Sequence, residues 1–193
     1  MSSAAAPASP SARVLGDIIP GERVRDVLLS LGYAGAIGIA AQIAFPLPFT
    51  PVPVTGQTFA VLLGAIVLGM GRAAAGGALY LGLGIAGVPW FAPTGGGASM
   101  GYIVGFLVAA AVVGWIAQRG HARGPLSVAG TMVLGNAIIY AFGAAVLGAM
   151  LSMNATQALM AGVVPFLIGD ALKIAAATAL VPAAWKLVHR GED

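Results

Sequence analysis

Between residues 27 and 188 the chain is built from long apolar runs, separated by short segments rich in proline, glycine or polar residues. Within the runs, apolar and polar positions do not alternate, which predicts membrane helices. A transmembrane barrel would need alternating strands of ~10 residues, and the sequence offers none. The first run, residues 27–45, holds 19 residues and reaches ~28 Å as a helix, enough to cross a bilayer core. Residues 57–70 form a shorter second helix of ~21 Å, too short for a straight crossing. Further spans are expected at residues 73–87, 100–118, 126–150 and 158–188, giving six in all. Pro165 falls inside the last of these and is expected to kink it or to unwind a turn.

The connecting segments have characters of their own. Four prolines in eight residues (Pro46, Pro48, Pro51 and Pro53) exclude a helix and predict a stiff extended segment over residues 46–55. That segment carries no charge, so it is expected to dip toward the membrane against protein or a cavity, as a lid formed by Pro51, Val52, Pro53 and Thr55. Gly69 to Arg72 reads as a tight turn. A second uncharged loop follows the third span, with Trp90 and the glycines Gly95, Gly96 and Gly97. Trp90 suits either a membrane-interface anchor or a wall for a ligand. Gly32, Ala36 and Ala40, at four-residue spacing, form a small-residue stripe on the first helix, suited to internal packing or to a partner helix.

Composition fixes the class. The chain is 59% apolar and 8% charged, against about a quarter charged in a soluble domain, so it is an integral membrane protein. The net charge of +3 reflects basic membrane flanks and carries no signal for nucleic acid. There is no cysteine, hence no thiol ligand, thiol nucleophile or disulfide. The expected organisation is a flexible tail with a possible surface-lying segment (residues 1–26), a six-helix membrane domain (27–188) and a short cytoplasmic tail (189–193). Val14, Leu15, Ile18 and Ile19 are the residues expected at the membrane surface. With six spans, Arg13, Arg23, Arg25, Arg72, Arg119, Arg123, Lys186 and Arg190 all fall on one side, and by the positive-inside rule that side is cytoplasmic. Both uncharged loops then face outward.

One carboxylate and one ammonium lie inside the spans. Asp170 and Lys173, three apart, share a helix face. A charge at membrane depth costs at least ~2.5–3.5 kcal/mol, so such residues pair, face a cavity and serve function, or lock helices as a structural ion pair. Asn136, Tyr140 and Gln57 are candidate uncharged partners, with Trp90, Phe91 and Tyr102 as flat walls. An apolar concavity with a few convergent polar groups suits a small organic ligand. A single membrane carboxylate is too little for an inorganic cation. Both histidines lie in flanking segments, so neither a metal centre nor hydrolytic catalysis is expected. No Gly-Lys-Ser/Thr phosphate loop occurs, so any ATP-driven step belongs to another chain.

Four ordered motifs are recognisable. Residues 51–63 (PVPVTGQTFAVLL), 80–89 (YLGLGIAGVP), 101–106 (GYIVGF) and 165–173 (PFLIGDALK) together resemble the BioY family, over residues 27–188. BioY proteins are the biotin-binding S-components of energy-coupling factor (ECF) transporters. The resemblance implies an all-α bundle in the plasma membrane, not an enzyme and without a cofactor. It would capture biotin outside and deliver it inward with a transmembrane T-component and two ABC ATPases. It also implies that Asp170 and Lys173 hold the biotin rings and that Gly32, Ala36 and Ala40 contact the T-component. A ureido group has two N–H donors and one carbonyl, which suit a carboxylate and an ammonium. The chain departs from the family at residues 92–100, where other members often have a longer loop with an arginine for the biotin carboxylate. The N–H groups of Gly95 to Gly97, or Tyr102, are the candidates left for that carboxylate. Two other readings stand beside this one: a proton-coupled secondary transporter using Asp170, and a membrane assembly subunit that binds no small ligand.

Overall fold

The computed structural model describes residues 14–19, 21 and 23–190. The tail expected over the first ten residues, and Arg13, lie outside them. Seven helices and one hairpin follow in order: α1 (Arg23–Gln42), β1 (Ala44–Leu47), β2 (Thr50–Thr55), α2 (Gln57–Leu68), α3 (Met70–Ile85), α4 (Met100–Gln118), α5 (Pro125–Met150), α6 (Ala155–Gly162) and α7 (Leu167–Arg190). Four stretches are long and apolar enough to cross a membrane: Arg23–Gln42, Gly97–Gln118, Pro125–Met150 and Ala155–Val188. The α2 and α3 helices are shorter, with 12 and 16 residues, or ~18 and ~24 Å.

At the centre, α4 packs on α2, α3 and α5, while α1 covers α2 and α3, and α7 lies against α5 and α2. Small residues permit these approaches. A Cβ on Gly101 would come 2.6 Å from the Phe142 carbonyl oxygen, and one on Gly105 would come 3.0 Å from Ile139 Cα. Helices without such atoms approach closely and gain van der Waals contact, the main attraction available inside lipid. The outer surface is apolar as well: Ile168 and Leu172, one turn apart on α7, are 79% and 69% exposed, as suits a lipid-facing stripe.

Several boundaries move from their sequence-based positions, each for a local reason. The first helix ends at Gln42, three residues early, because Phe45 precedes Pro46 and enters a strand. The proline segment is not a lone extended strand. Ala44 pairs with Thr55, Phe45 with Val54 and Leu47 with Thr50, with an irregularity around Pro46, so it folds back as an antiparallel hairpin. Gly56 ties this hairpin to the end of α1 by donating its N–H to the carbonyls of Ala40 and Ile43. The expected four-residue turn shrinks to Gly69 alone, at φ 78°, and α3 starts at Met70. The α6 helix begins at Ala155 rather than Ala158. Its capping box is Asn154 Oδ1 accepting from the Gln157 N–H at 2.9 Å, with Gln157 Oε1 accepting from the Asn154 N–H at 3.0 Å. The last span breaks where Pro165 lies: α6 stops at Gly162, a 3-10 turn covers Val164–Phe166, and α7 restarts at Leu167. Val14 is not on the membrane surface but buried, 1% exposed, in a turn packed on α2, whereas Ile18 and Ile19 are exposed.

Candidate ligand-binding site

The restart of the last helix sets Asp170 in the first turn of α7, where the helix end favours a negative charge. Its residue is only 3% exposed. Three donors converge on the carboxylate. Thr58 Oγ1 and Lys173 Nζ each donate to Oδ1 at 2.7 Å, and the Tyr140 hydroxyl donates to Oδ2. Lys173 also donates to Thr58 Oγ1 at 2.7 Å and to the Thr55 carbonyl at 2.8 Å, so all three ammonium protons are engaged. A carboxylate has roughly four lone-pair positions, so Asp170 keeps about one for a further donor. The pair therefore also joins α7 to the start of α2 and to β2, as the structural reading of an ion pair would have it.

This network forms one wall of a cavity of about 590 Å³, within the ~300–1,000 Å³ range of small-molecule sites. Tyr102, Ile103, Phe106 and Phe166 supply apolar wall, and Phe91 closes the side next to α3. Tyr140 and Phe166 stack at 6.4 Å between ring centres, and Tyr102 meets Phe166 edge-on at 6.0 Å. Val52, Pro53 and Thr55 reach the cavity from β2, and Gly95, Gly96 and Gly97 from the loop before α4. Thus both uncharged loops contribute to the same space. Among the described residues, Asp170 and Lys173 are the charged side chains of this lining.

Of the residues singled out in the sequence, Asp170, Lys173, Tyr140, Gln57 and Tyr102 come together here. Gln57 is buried, donating to the Tyr80 hydroxyl at 2.8 Å and accepting from Thr55 Oγ1 at 3.1 Å. Three others stand apart. Trp90 packs against α1 and α3, its indole N–H donating to the Tyr80 carbonyl at 3.0 Å and its ring 5.2 Å from that of Tyr80. It therefore props up the wall instead of lining it. Asn136, one turn from Tyr140 on α5, is buried outside the cavity lining, and its Oδ1 has no hydrogen-bond partner among the described residues. Pro51 is exposed and away from the cavity. On α1, Gly32 and Ala36 are exposed, while Ala40 is half-covered by Gly56.

Thr58 is the residue that sequence reasoning passed over. It both donates to Asp170 and accepts from Lys173. The signal was present, since Thr55-Gly56-Gln57-Thr58 is a polar cluster at the head of a helix that is otherwise apolar. Two candidates for holding a ligand carboxylate are also already engaged: the Tyr102 hydroxyl donates to the Gly162 carbonyl at 2.6 Å, and the Gly95 N–H to the Ala92 carbonyl at 3.1 Å.

Apolar helices around a cavity with one buried charged cluster define a multi-pass membrane protein built around a small-molecule site. The chain belongs to the BioY family, whose profile matches residues 9–190. It is 36% identical over 151 residues to the biotin transporter BioY of Thermotoga maritima, spanning 75% of this chain and 86% of that one. The biotin transporter BioY of Rhizobium etli is 30% identical over 172 residues, spanning 81% and 90% respectively. The fold matches a crystal structure of the S-component for biotin from an ECF-type ABC transporter with a TM-score of 0.76. At 20% identity, that match covers 85% of this chain and 92% of the other.

Proposed function

We propose that this protein takes up biotin as the substrate-binding S-component of an ECF-type transporter. It captures the vitamin outside and delivers it inward together with a T-component and two ABC ATPases. The observation that carries this reading is the buried carboxylate of Asp170, held by Thr58, Tyr140 and Lys173 at the wall of an otherwise uncharged cavity. A ureido N–H can donate to the acceptor position that Asp170 keeps, and the ureido carbonyl can accept a hydrogen bond from Lys173 in place of the Thr55 carbonyl. The aromatic and aliphatic walls suit the fused rings and the hydrocarbon chain.

The charge distribution supports the orientation. Arg72 bridges Asp17 and Asp26 at 2.8 Å each, near the start of α1 and α3. Arg119 lies over Trp115 and Arg123 over Trp185, near the ends of α4 and α7. All of these sit at the end of the bundle away from the cavity, and the positive-inside rule makes that end cytoplasmic. The cavity then opens outward, with both termini inside.

Titrating biotin into the purified, detergent-solubilised protein, with desthiobiotin and lipoate as competitors, tests the proposal. The expected result is saturable one-to-one binding with weak lipoate competition. Absence of binding by well-folded protein would overturn it.

A further inference from the structure

The cavity is electrically lopsided. Its charged groups gather at the Asp170 wall, which is buried, while the lining residues Gly87, Val88, Pro89, Pro93, Gly96 and Gly97 are all exposed and form its rim. No cation stands at that rim among the described residues. Two polar side chains of the lining outside the Asp170 cluster are committed elsewhere. Gln42 Nε2 donates to the carbonyls of Gly38 and Trp90, at 3.2 and 3.3 Å, and the Ser99 hydroxyl donates to the Gly95 carbonyl at 3.0 Å. Lys173 has no ammonium proton left for a carboxylate, because Asp170 and Thr58 hold two and, on the biotin reading, the third passes from the Thr55 carbonyl to the ureido carbonyl. An anionic group is stabilised by a partner charge or by water, and at this rim only water and backbone are on offer.

From this we infer that the protein recognises the ring end of its ligand and leaves the carboxylate end at an uncharged rim, so that its substrate class includes biotin derivatives with a neutral or extended tail. The inference rests on the biotin reading of the site. Biotin methyl ester, biotin primary amide and the lysine conjugate biocytin bind within about tenfold of biotin itself, a difference below ~1.4 kcal/mol. Blocking a ureido nitrogen by methylation, in contrast, removes a donor to Asp170 and abolishes tight binding.

The experiment is competition of each derivative against labelled biotin on the purified full chain, at low ionic strength. Neutral derivatives weaker than biotin by more than tenfold would overturn the inference while leaving the uptake reading intact. Failure of biotin itself to bind would overturn the uptake reading, and this inference with it. A second arm places a cation at the rim with Val88→Arg, at a site that is 39% exposed. In that variant the preference for biotin over its amide rises at least tenfold. An unchanged ratio would mean that the carboxylate lies elsewhere, and would overturn the inference by a route that does not depend on the wild-type comparison.

Discussion

At the scale of single residues, the charged cluster has two duties, and they separate by mutation. Asp170→Asn keeps the shape of the side chain but removes the charge that Lys173 and Thr58 answer. Losing a charged contact of this kind weakens biotin binding by about 2 kcal/mol, roughly thirtyfold. Thr58→Val, which removes a neutral hydroxyl bonded to both charged groups, costs about 1.5 kcal/mol of binding. Calorimetric titration of both, with size-exclusion profiles as the control for folding, checks the order. Equal affinity in all three proteins would leave the cluster as a structural clasp. Asp170 and Lys173 were legible in the sequence because charge inside an apolar run is costly and therefore conspicuous. Thr58 was not, since a threonine at the start of a helix looks like local capping until the fold brings α7 against α2. Trp90 is the opposite case: its flat ring suited an interface anchor or a ligand wall, and packing on Tyr80 and Gly38 sets it behind the cavity lining.

At the scale of elements, α4 was legible to the residue because a long apolar run between a glycine-rich loop and a basic flank has clear ends. The hairpin was not legible, since pairing across Phe45 and Val54 is a non-local choice that proline content does not reveal. The α2–α3 corner depends on one residue. Gly69 has φ 78° and ψ 173°, a conformation open almost only to glycine, and a Cβ there would meet Gln118 Nε2 at 2.6 Å. Gly69→Ala therefore destabilises the bundle by ~1–3 kcal/mol, read as a lower midpoint in thermal unfolding in detergent. Gly71, inside α3 where a Cβ meets nothing within 4 Å, is the matched control, and Gly71→Ala does not lower the midpoint.

At the scale of the whole molecule, the cavity and the small-residue face of α1 occupy different surfaces. The cavity lies at one end of the bundle, whereas Gly32 and Ala36 lie exposed along the side of α1, and a Cβ on Gly32 meets nothing within 4 Å. A bulky residue there leaves the cavity alone and spoils close approach by another helix. Ala36→Trp is expected to bind biotin like the wild type yet lose ATP-dependent uptake when co-expressed with the T-component and ATPases. Loss of both together would mean that α1 shapes the cavity instead.

The brevity of α2 and α3 has a consequence for the lipid around them. At ~18 and ~24 Å they fall short of a ~30 Å hydrocarbon layer that α5, with 26 residues, more than spans. Lipid beside the exposed face of α3, where Leu79 and Leu83 point outward, must compress to meet it, at a fraction of a kcal/mol per Å. The protein thus carries a thin flank and a thick flank. Membrane thickness acts on it unevenly, pulling the thin side toward short-chain lipid or toward any neighbour whose own hydrophobic belt is narrow.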